Sequence, residues 1–456
     1  MRRHIPIVVV LFLVAIAGVV AYLGWPDAAR VPIAEVEGGR PHMTPPREQT
    51  IPTVDVPKAV GWQGDARPVP AAGLKVAAFA SGLDHPRWLY RLPDGDVLVA
   101  ESNSPPRDVG GITGWVMGWL MNRGGAGSVS ADRITLLRDA NGDGVAETRT
   151  TFLTGLHSPY GMALVGGWLY IGDTDAVVRV PYTPGETRIA AKPELVVKLP
   201  GGGNHWARNI LAAPDGKTLF VAVGSSTNVG ENGSDAEKYR ADILQVYPES
   251  KTARIYAAGL RNSNGMAYEP HTGGLWTVVN ERDMLGSDIV PDYLTQVEFG
   301  DQFGWPWYYW GGYPDPRIPE ANRNPAMQEY VKRPDYAMGP HVAALGLTFA
   351  ADAKLGAGFA DGAFVGEHGS WNRKPVSGYK VVYVPFAPTG FPVKGAKPVD
   401  VLTGFLDAAG HAQGRPVGVI TDRAGALLVA DDVGNRVWRV SAAPSAGGKP
   451  AQVAAR

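Results

Sequence analysis

The sequence predicts an all-β fold, a six-bladed β-propeller of four-stranded antiparallel blades. Three observations carry the prediction. A turn-and-strand pattern recurs six times between residues 74 and 442. Its second strands are short apolar or alternating runs. The chain also holds 58 Gly and 38 Pro in 456 residues, a composition suited to many short strands joined by turns.

The six copies open at Gly82-Leu83-Asp84-His85-Pro86-Arg87, Gly155-Leu156-His157-Ser158-Pro159-Tyr160, Gly203-Asn204-His205-Trp206-Ala207-Arg208, Gly259-Leu260-Arg261-Asn262-Ser263-Asn264, His341 to Gly346, and Gly414-Arg415-Pro416-Val417-Gly418. Second strands are predicted at 97–101, 169–173, 219–224, 275–280, 363–367 and 427–431, runs that fit strands and fall short of helices. Third strands are predicted at 133–137, 176–181, 243–247, 294–299, 379–385 and 436–441, and fourth strands at 151–154, 195–199, 253–257 and 399–402. No complete copy precedes Lys75, so residues 75–80 are assigned to the outer edge of the last blade, closing the ring. Closure removes the free sheet edges that a linear array would expose. The competing arrangement is two stacked β domains.

Composition narrows the function. A net charge of -1 lacks the electrostatic footprint of a nucleic-acid binder. The absence of cysteine excludes disulfides, zinc–thiolate sites, iron–sulfur clusters, a cysteine nucleophile and a lipid-modified N-terminal cysteine. Met1-Arg2-Arg3-His4 is basic, and residues 5–25 carry no charge. About 20 apolar residues span a hydrocarbon core of roughly 30 Å. Arginine before the run and acidic residues after it favour N-in, C-out. Residues 1–25 therefore predict a single N-terminal transmembrane helix, with the body on the periplasmic side of a bacterial-type inner membrane. The alternative is a cleaved signal peptide ending near Ala15-Ile16-Ala17, which also exports the body. Residues 26–73, rich in Pro and Gly without periodicity, read as a tether, and 443–456 as a frayed tail.

In a propeller the first strand of each blade lines the axis. The turn leading into it shares a face with the loop leaving the second strand. The leading turns carry His85, Arg87, His157, Tyr160, Asn204, His205, Arg208, Arg261, Asn262, His341, His411 and Arg415. The exit loops carry Glu101, Asp173, Asp175, Asn280, Glu281, Arg282, Asp283, Glu367, His368, Arg373, Lys374, Asp431 and Asp432. Taken singly, each is accounted for by a solvated charge or a hydrogen-bonded turn. Together they predict an axial small-molecule site. Arg208, Arg261, Arg373, Lys374 and Arg415 suit an anionic ligand with several carboxylates or phosphates. The acidic group suits a hard cation beside it.

With Asn280-Glu281-Arg282-Asp283, Phe303-Gly304-Trp305-Pro306 and Glu367-His368-Gly369-Ser370-Trp371-Asn372-Arg373, these motifs resemble the sorbosone dehydrogenase family. That family is related to the soluble glucose and aldose sugar dehydrogenases that use pyrroloquinoline quinone (PQQ). The resemblance covers about residues 74–442. It implies a PQQ-dependent dehydrogenase acting on an aldose or aldehyde-bearing sugar, with electrons leaving to a membrane quinone or cytochrome c. It implies His205 as the general base for the substrate hydroxyl, with hydride passing to the quinone. It places Arg261 and Asn262 beside the quinone oxygens, where a fixed cation stabilises charge developing on reduction. Arg415 matches a cofactor-carboxylate contact, and Arg373 or Lys374 replaces a fifth-blade lysine. Tyr160 and Arg208 complete the expected cofactor-binding set.

Relatives also hold Ca2+ against the quinone through backbone carbonyls of a Gly-Pro pair. Here that stretch resembles Arg282-Asp283, followed by Gly286 and Asp288, and the pair itself is absent. Arg282, Asp283 and Asp288 are the expected metal-site residues. Asn204 stands where many glucose-oxidising relatives carry Asp before the base; it can orient the ring but brings no charge.

Three further signals have two readings each. Asp139-Ala140-Asn141-Gly142-Asp143-Gly144 resembles the start of a calcium loop, yet Thr150 holds the position of the bidentate Glu and the flanks are strands, so a tight acidic turn competes. Residues 110–127, with Trp115-Val116-Met117-Gly118-Trp119-Leu120-Met121, suit a lid over the propeller or contact with lipid or an electron-accepting partner. Trp305-Pro306-Trp307-Tyr308-Tyr309-Trp310 suits stacking on sugars or sealing of gaps between blades. Two other functions compete with the dehydrogenase. A calcium-dependent lactonase-like hydrolase needs acidic and Asn side chains around an axial metal. A sugar-binding or scaffold propeller needs no His205 and Arg261 in one pocket.

Overall fold

The computed structural model describes residues 12–16, 18, 27–106, 111–319 and 325–444, apart from the side chains of residues 112 and 113. Six antiparallel sheets form a ring, and the first strands of neighbouring blades pack against one another around the axis. From the axis outward, blade 1 is Pro86–Arg91, Val97–Glu101, Arg133–Arg138 and Thr148–Leu153. Blade 2 is Met162–Val165, Trp168–Asp173, Ala176–Pro181 and Glu194–Lys198. Blade 3 is Ile210–Ala212, Leu219–Val223, Asp242–Tyr247 and Thr252–Ala258, and blade 4 is Ser263–Tyr268, Leu275–Val279, Pro291–Val297 and Tyr336–Pro340. Blade 5 is Ala344–Phe349, Gly362–Glu367, Lys380–Pro385 and Val399–Thr403, and blade 6 starts with Pro416–Thr421, Leu427–Asp431 and Arg436–Ala442. The ring closes as the sequence predicts: Leu74–Ser81 pairs with Arg436–Ala442 as the outer strand of blade 6.

The second strands Val97–Glu101, Leu219–Val223, Leu275–Val279 and Leu427–Asp431 are buried along their whole length. Neighbouring blades cover both of their faces, so they read as apolar runs without alternation. Close approach between blades demands glycine. A Cβ on Gly346 would lie 2.2 Å from the Val417 carbonyl oxygen.

Several expectations are corrected. Blade 4 has a fourth strand, Tyr336–Pro340, hidden from the repeat because a long insertion precedes it. The insertion packs back onto blades 3 and 4, with Trp305, Tyr308, Tyr309 and Trp310 buried. The aromatic run thus seals the gap between blades. The expected tether is not free. Residues 27–66 form a strap over the propeller, held by polar contacts rather than by a periodic apolar face. Arg47 pairs with Asp27 at 2.7 Å and with Asp288 at 3.1 Å. Ala29 N donates to the Lys374 carbonyl, and Trp62 Nε1 donates to Asp431 at 2.6 Å. Val69–Pro70 then adds a fifth strand to blade 5.

The acidic turn at Asp139 brings carboxylate oxygens of Asp139, Asp143 and Glu147 within 4.8 Å of one another, and backbone amides also bind it. Asp139 accepts from the amides of Gly142 and Gly144, and Asn141 accepts from that of Asp143. The predicted membrane span falls almost wholly outside the described residues, and among those described no helix is long and apolar enough to cross a membrane. The predicted tail lies outside them beyond residue 444.

Candidate active site

Leading turns and exit loops of all six blades share one face, as the propeller topology requires. Two polar clusters meet there. The first joins blades 3, 4 and 5. His205 lies half-buried in the turn before Ile210–Ala212, with Nδ1 at 2.8 Å from the Ser225 carbonyl oxygen and 3.1 Å from Ser225 Oγ. A carbonyl oxygen can only accept, so this contact favours the Nδ1–H tautomer, with Nε2 unprotonated. Asn262 and His205 both crowd Gly224: a Cβ there would fall 2.3 Å from Asn262 Oδ1 and 2.6 Å from His205 Cβ.

Arg261 is buried. Its Nε reaches the Asn228 carbonyl at 3.2 Å, its Nη1 the carbonyls of Glu281 at 2.5 Å and Asn280 at 3.4 Å, and its Nη2 Asn228 Oδ1 at 2.9 Å and Asp283 at 3.0 Å. Asp283 also faces His341 Nδ1 at 3.4 Å. Burial raises the Asp283 carboxyl, but Arg261, His341 and His205 outweigh it and hold the group below the usual range. His341 is raised in turn, its burial outweighed by Asp283.

The second cluster joins blades 1, 5 and 6 around Asp432. This buried carboxylate pairs with Arg87, lies 2.8 Å from His368 Nε2 and 3.5 Å from His85 Nε2. Burial alone would raise it; His368, His85 and Arg87 keep it well below the ordinary carboxylate range. Burial and then Arg415 push His368 down to about 3, so the imidazole is neutral near pH 7. Arg415 donates from Nε to the His368 carbonyl at 2.9 Å and from Nη2 to that of Gly369 at 2.8 Å. Its Nη1 makes no hydrogen bond among the described residues. The Arg87 guanidinium bridges the two clusters: it lies 5.6 Å from the Trp206 ring, next to His205, and 5.9 Å from the Tyr160 ring. Arg87, Tyr160 and Asn264 are buried together on this face, the Tyr160 hydroxyl interacting with both Asn264 and Arg87.

Not every predicted residue serves this site. Arg208 is fully buried beneath the His205 turn and donates to the carbonyls of Pro200, His205 and Ala207 at 2.8, 2.9 and 3.1 Å. It positions His205 and offers no free fork to a ligand. Burial, with Arg240 nearby, lowers its pKa to about 9. Arg373 donates from Nε to the Ser287 carbonyl at 3.0 Å and from Nη1 to the Pro375 carbonyl at 2.5 Å, and the Lys374 side chain is exposed.

The side chains of the expected metal trio are engaged with other protein groups: Arg282 lies between Glu281 at 2.9 Å and Asp315 at 3.2 Å, Asp288 is taken by Arg47 and the Arg30 amide, and Asp283 pairs with Arg261. Coordination through the backbone carbonyls of this stretch does not depend on those side chains. His157 and His411 pair with Asp175 and Asp407, well exposed at the rim. Sequence reasoning placed Arg87, His368 and Asp432 on this face but gave them no role. A pairwise signal was missing, because Arg87 and Asp432 lie at opposite ends of the chain. At the outer strand of blade 3, a cavity of about 870 Å3 opens between the 229–242 loop and the blade 4 insertion, lined by Tyr239, Ile255, Trp305, Trp307 and Arg317. Its Trp305 donates to the Asn228 carbonyl that also receives Arg261, so the cavity shares a wall with the first cluster.

The residues present fit an anionic planar cofactor. Arginine guanidinium groups from several blades, one with an uncommitted Nη1 at Arg415, converge with the aromatic faces of Tyr160 and Trp206, which is the chemistry a polycarboxylate quinone requires.

The comparisons with known proteins agree with the fold. A family model described as TrAA12-like matches residues 68–290 and 290–443. A Borreliella burgdorferi relative described as an uncharacterized protein is 29% identical over 296 residues, covering 62% of this chain and 76% of its own. A Trichoderma reesei structure titled as a carbohydrate-active enzyme of family AA12 superposes with a TM-score of 0.67 at 19% identity, covering 86% of this chain and 99% of its own. The holo form of the PQQ domain of a pyranose dehydrogenase from Coprinopsis cinerea superposes with a TM-score of 0.64 at 20% identity, covering 85% of this chain and all of its own, 100%.

Proposed function

The chain belongs to the TrAA12-like family, and from that premise we propose that it is a PQQ-dependent dehydrogenase acting on an aldose or aldehyde-bearing sugar. One observation carries the reading. His205 is held by the Ser225 carbonyl in the tautomer a base needs, on a face where Arg261, Arg87 and Arg415 supply positive potential. The likeness to a PQQ domain supports the choice of cofactor.

His205 Nε2 takes the proton of the substrate hydroxyl. The Ser225 carbonyl then stabilises the imidazolium through Nδ1–H. Asp283 supplies the negative field that Asn204 lacks, within electrostatic reach of His205. Arg261 fixes Asp283 and Asn228 and lends positive potential to the site; its donors are already engaged. Arg87 and Arg415 would hold the carboxylates of the cofactor, with Tyr160 and Asn264 completing its polar contacts. PQQ, when bound, supplies the two-electron acceptor. Ca2+, if bound, would be held by backbone carbonyls of the Arg282–Asp288 stretch, and no step is assigned to it. We place the body on the periplasmic side of an inner membrane, with electrons leaving to a membrane quinone or cytochrome c; cell fractionation with protease shaving tests the location.

Reconstitution with PQQ, followed by dye reduction with a panel of aldoses, tests the function. Sugar-dependent dye reduction that requires PQQ, and is abolished by His205→Ala while PQQ still binds, is the expected result. Sugar-lactone hydrolysis without PQQ would replace the proposal with a hydrolase. Binding without turnover of any sugar would replace it with a binding protein.

A further inference from the structure

The helix Gly111–Arg123 is carried by the blade 1 exit loop, on the face that holds His205. It contains no charged residue before Arg123. Its apolar side chains face outward: Trp115 is 73% exposed, Trp119 is 54% exposed, and Val116 and Met117 are exposed between them. Successive residues on a helix step by about 100°. Trp115, Val116 and Met117 together therefore present apolar surface around more than half of the circumference. A packed lid would bury that surface, and a groove on a folded partner would cover one stripe of it. A continuous apolar medium covers all of it.

The strap extends the patch. The Arg123 carbonyl accepts from Ala59 N, Arg123 Nε donates to the Val56 carbonyl at 2.9 Å, and strap residues Ile51 and Val54 are likewise exposed. The Arg123 guanidinium lies 5.8 Å from the Trp119 ring, the aromatic–cation pairing favoured at a headgroup boundary. The uncharged run of residues 5–25 joins the folded body at the same face. Asp27 is anchored there to Arg47 and to the Ser287 amide of the blade 4 exit loop.

We propose that this face docks flat on a phospholipid bilayer, with Trp115, Val116, Met117 and Trp119 sunk into the headgroup–acyl boundary and Ile51 and Val54 beside them. The propeller axis then stands on the membrane, and the mouth above His205 opens toward lipid. The proposal stands on exposure and chain path, and is independent of the dehydrogenase reading.

The chain has no cysteine, so one introduced thiol is a unique label. Full-length Val116→Cys and Lys217→Cys, the latter in a turn on the opposite face, are labelled with a polarity-sensitive fluorophore. Both are reconstituted with anionic phospholipid vesicles, with and without bromine on the acyl chains. The label at 116 should shift to the blue and lose at least half its intensity against brominated lipid, while the label at 217 keeps a water-like emission. Adding Trp115→Ser and Trp119→Ser to the labelled Val116→Cys chain should restore water-like emission, with circular dichroism unchanged. Water-like emission at 116 in vesicle-bound protein, equal quenching at both positions, or failure of the chain to bind vesicles would each overturn the proposal.

Discussion

Gly224→Ala places one methyl group where the proposed mechanism tolerates none. Gly224 is buried just past the second strand of blade 3, and its backbone is not left-handed, so alanine meets no backbone objection there. The added Cβ would fall 2.6 Å from His205 Cβ and 2.3 Å from Asn262 Oδ1. Carbon atoms rest at about 3.5–4.0 Å, so the two side chains must open by about 1 Å. Arg208 holds the His205 backbone carbonyl, so the displacement falls on the side chain and breaks the Nδ1 contact with the Ser225 carbonyl. A misplacement of about 1 Å costs on the order of 100-fold in rate, equivalent to about 2.7 kcal/mol of barrier. Overpacking costs about 1–3 kcal/mol of stability, which leaves the protein folded. Dye-linked turnover of the PQQ-loaded variant, with thermal melting in parallel, reads both effects. The expected result is kcat reduced about 100-fold with PQQ affinity within a few-fold of wild type. Wild-type kcat in a folded Gly224→Ala protein would refute the assignment of His205 as base.

Asp432→Asn leaves Arg87 buried without its counter-charge and should cost about 3–5 kcal/mol in denaturant unfolding; a loss below about 1 kcal/mol would show that the cluster is not coupled. His368 has a folded-state pKa of about 3 against 6.5 for the free group, so the unfolded chain binds a proton that the folded chain refuses. Stability should therefore fall as pH drops from about 6.5 toward 4, by at most about 1.4 kcal/mol per pH unit, and His368→Gln should flatten that slope in unfolding titrations. Trp62→Phe removes the donor that fastens the strap to Asp431 and should cost about 1–3 kcal/mol, with faster amide exchange over residues 59–66. Unchanged exchange there would assign strap retention to packing against Phe405 and Trp438.

The ring was legible in the sequence because of where its strands lie. Second strands such as Leu219–Val223 are covered on both faces, so their apolar runs stand out between turns. Closure was legible from one surplus strand ahead of the first copy. The strap was not legible, because single polar links such as Arg47–Asp27 and Trp62–Asp431 hold it and impose no period. Tyr336–Pro340 was missed because an insertion interrupts the spacing that reveals the other blades.

At the site, sequence identified the turns but not the direction of each side chain. Arg208 and Arg87 both occupy leading turns, yet Arg208 folds under its own backbone carbonyls while Arg87 reaches Asp432 across the closure of the ring. Arg282 and Asp288 carry charges suited to a metal-adjacent loop and are consumed by Asp315 and Arg47. Such pairings join residues distant in the chain, and no local spacing encodes them.

A crystal structure of the full-length protein grown with PQQ tests the axial site most directly. The account predicts quinone density on the propeller axis, within hydrogen-bond distance of Arg87 Nε or Arg415 Nη1 and facing His205. Density elsewhere on the molecule, or an axis lined by these groups with PQQ excluded at saturating concentration, would contradict it.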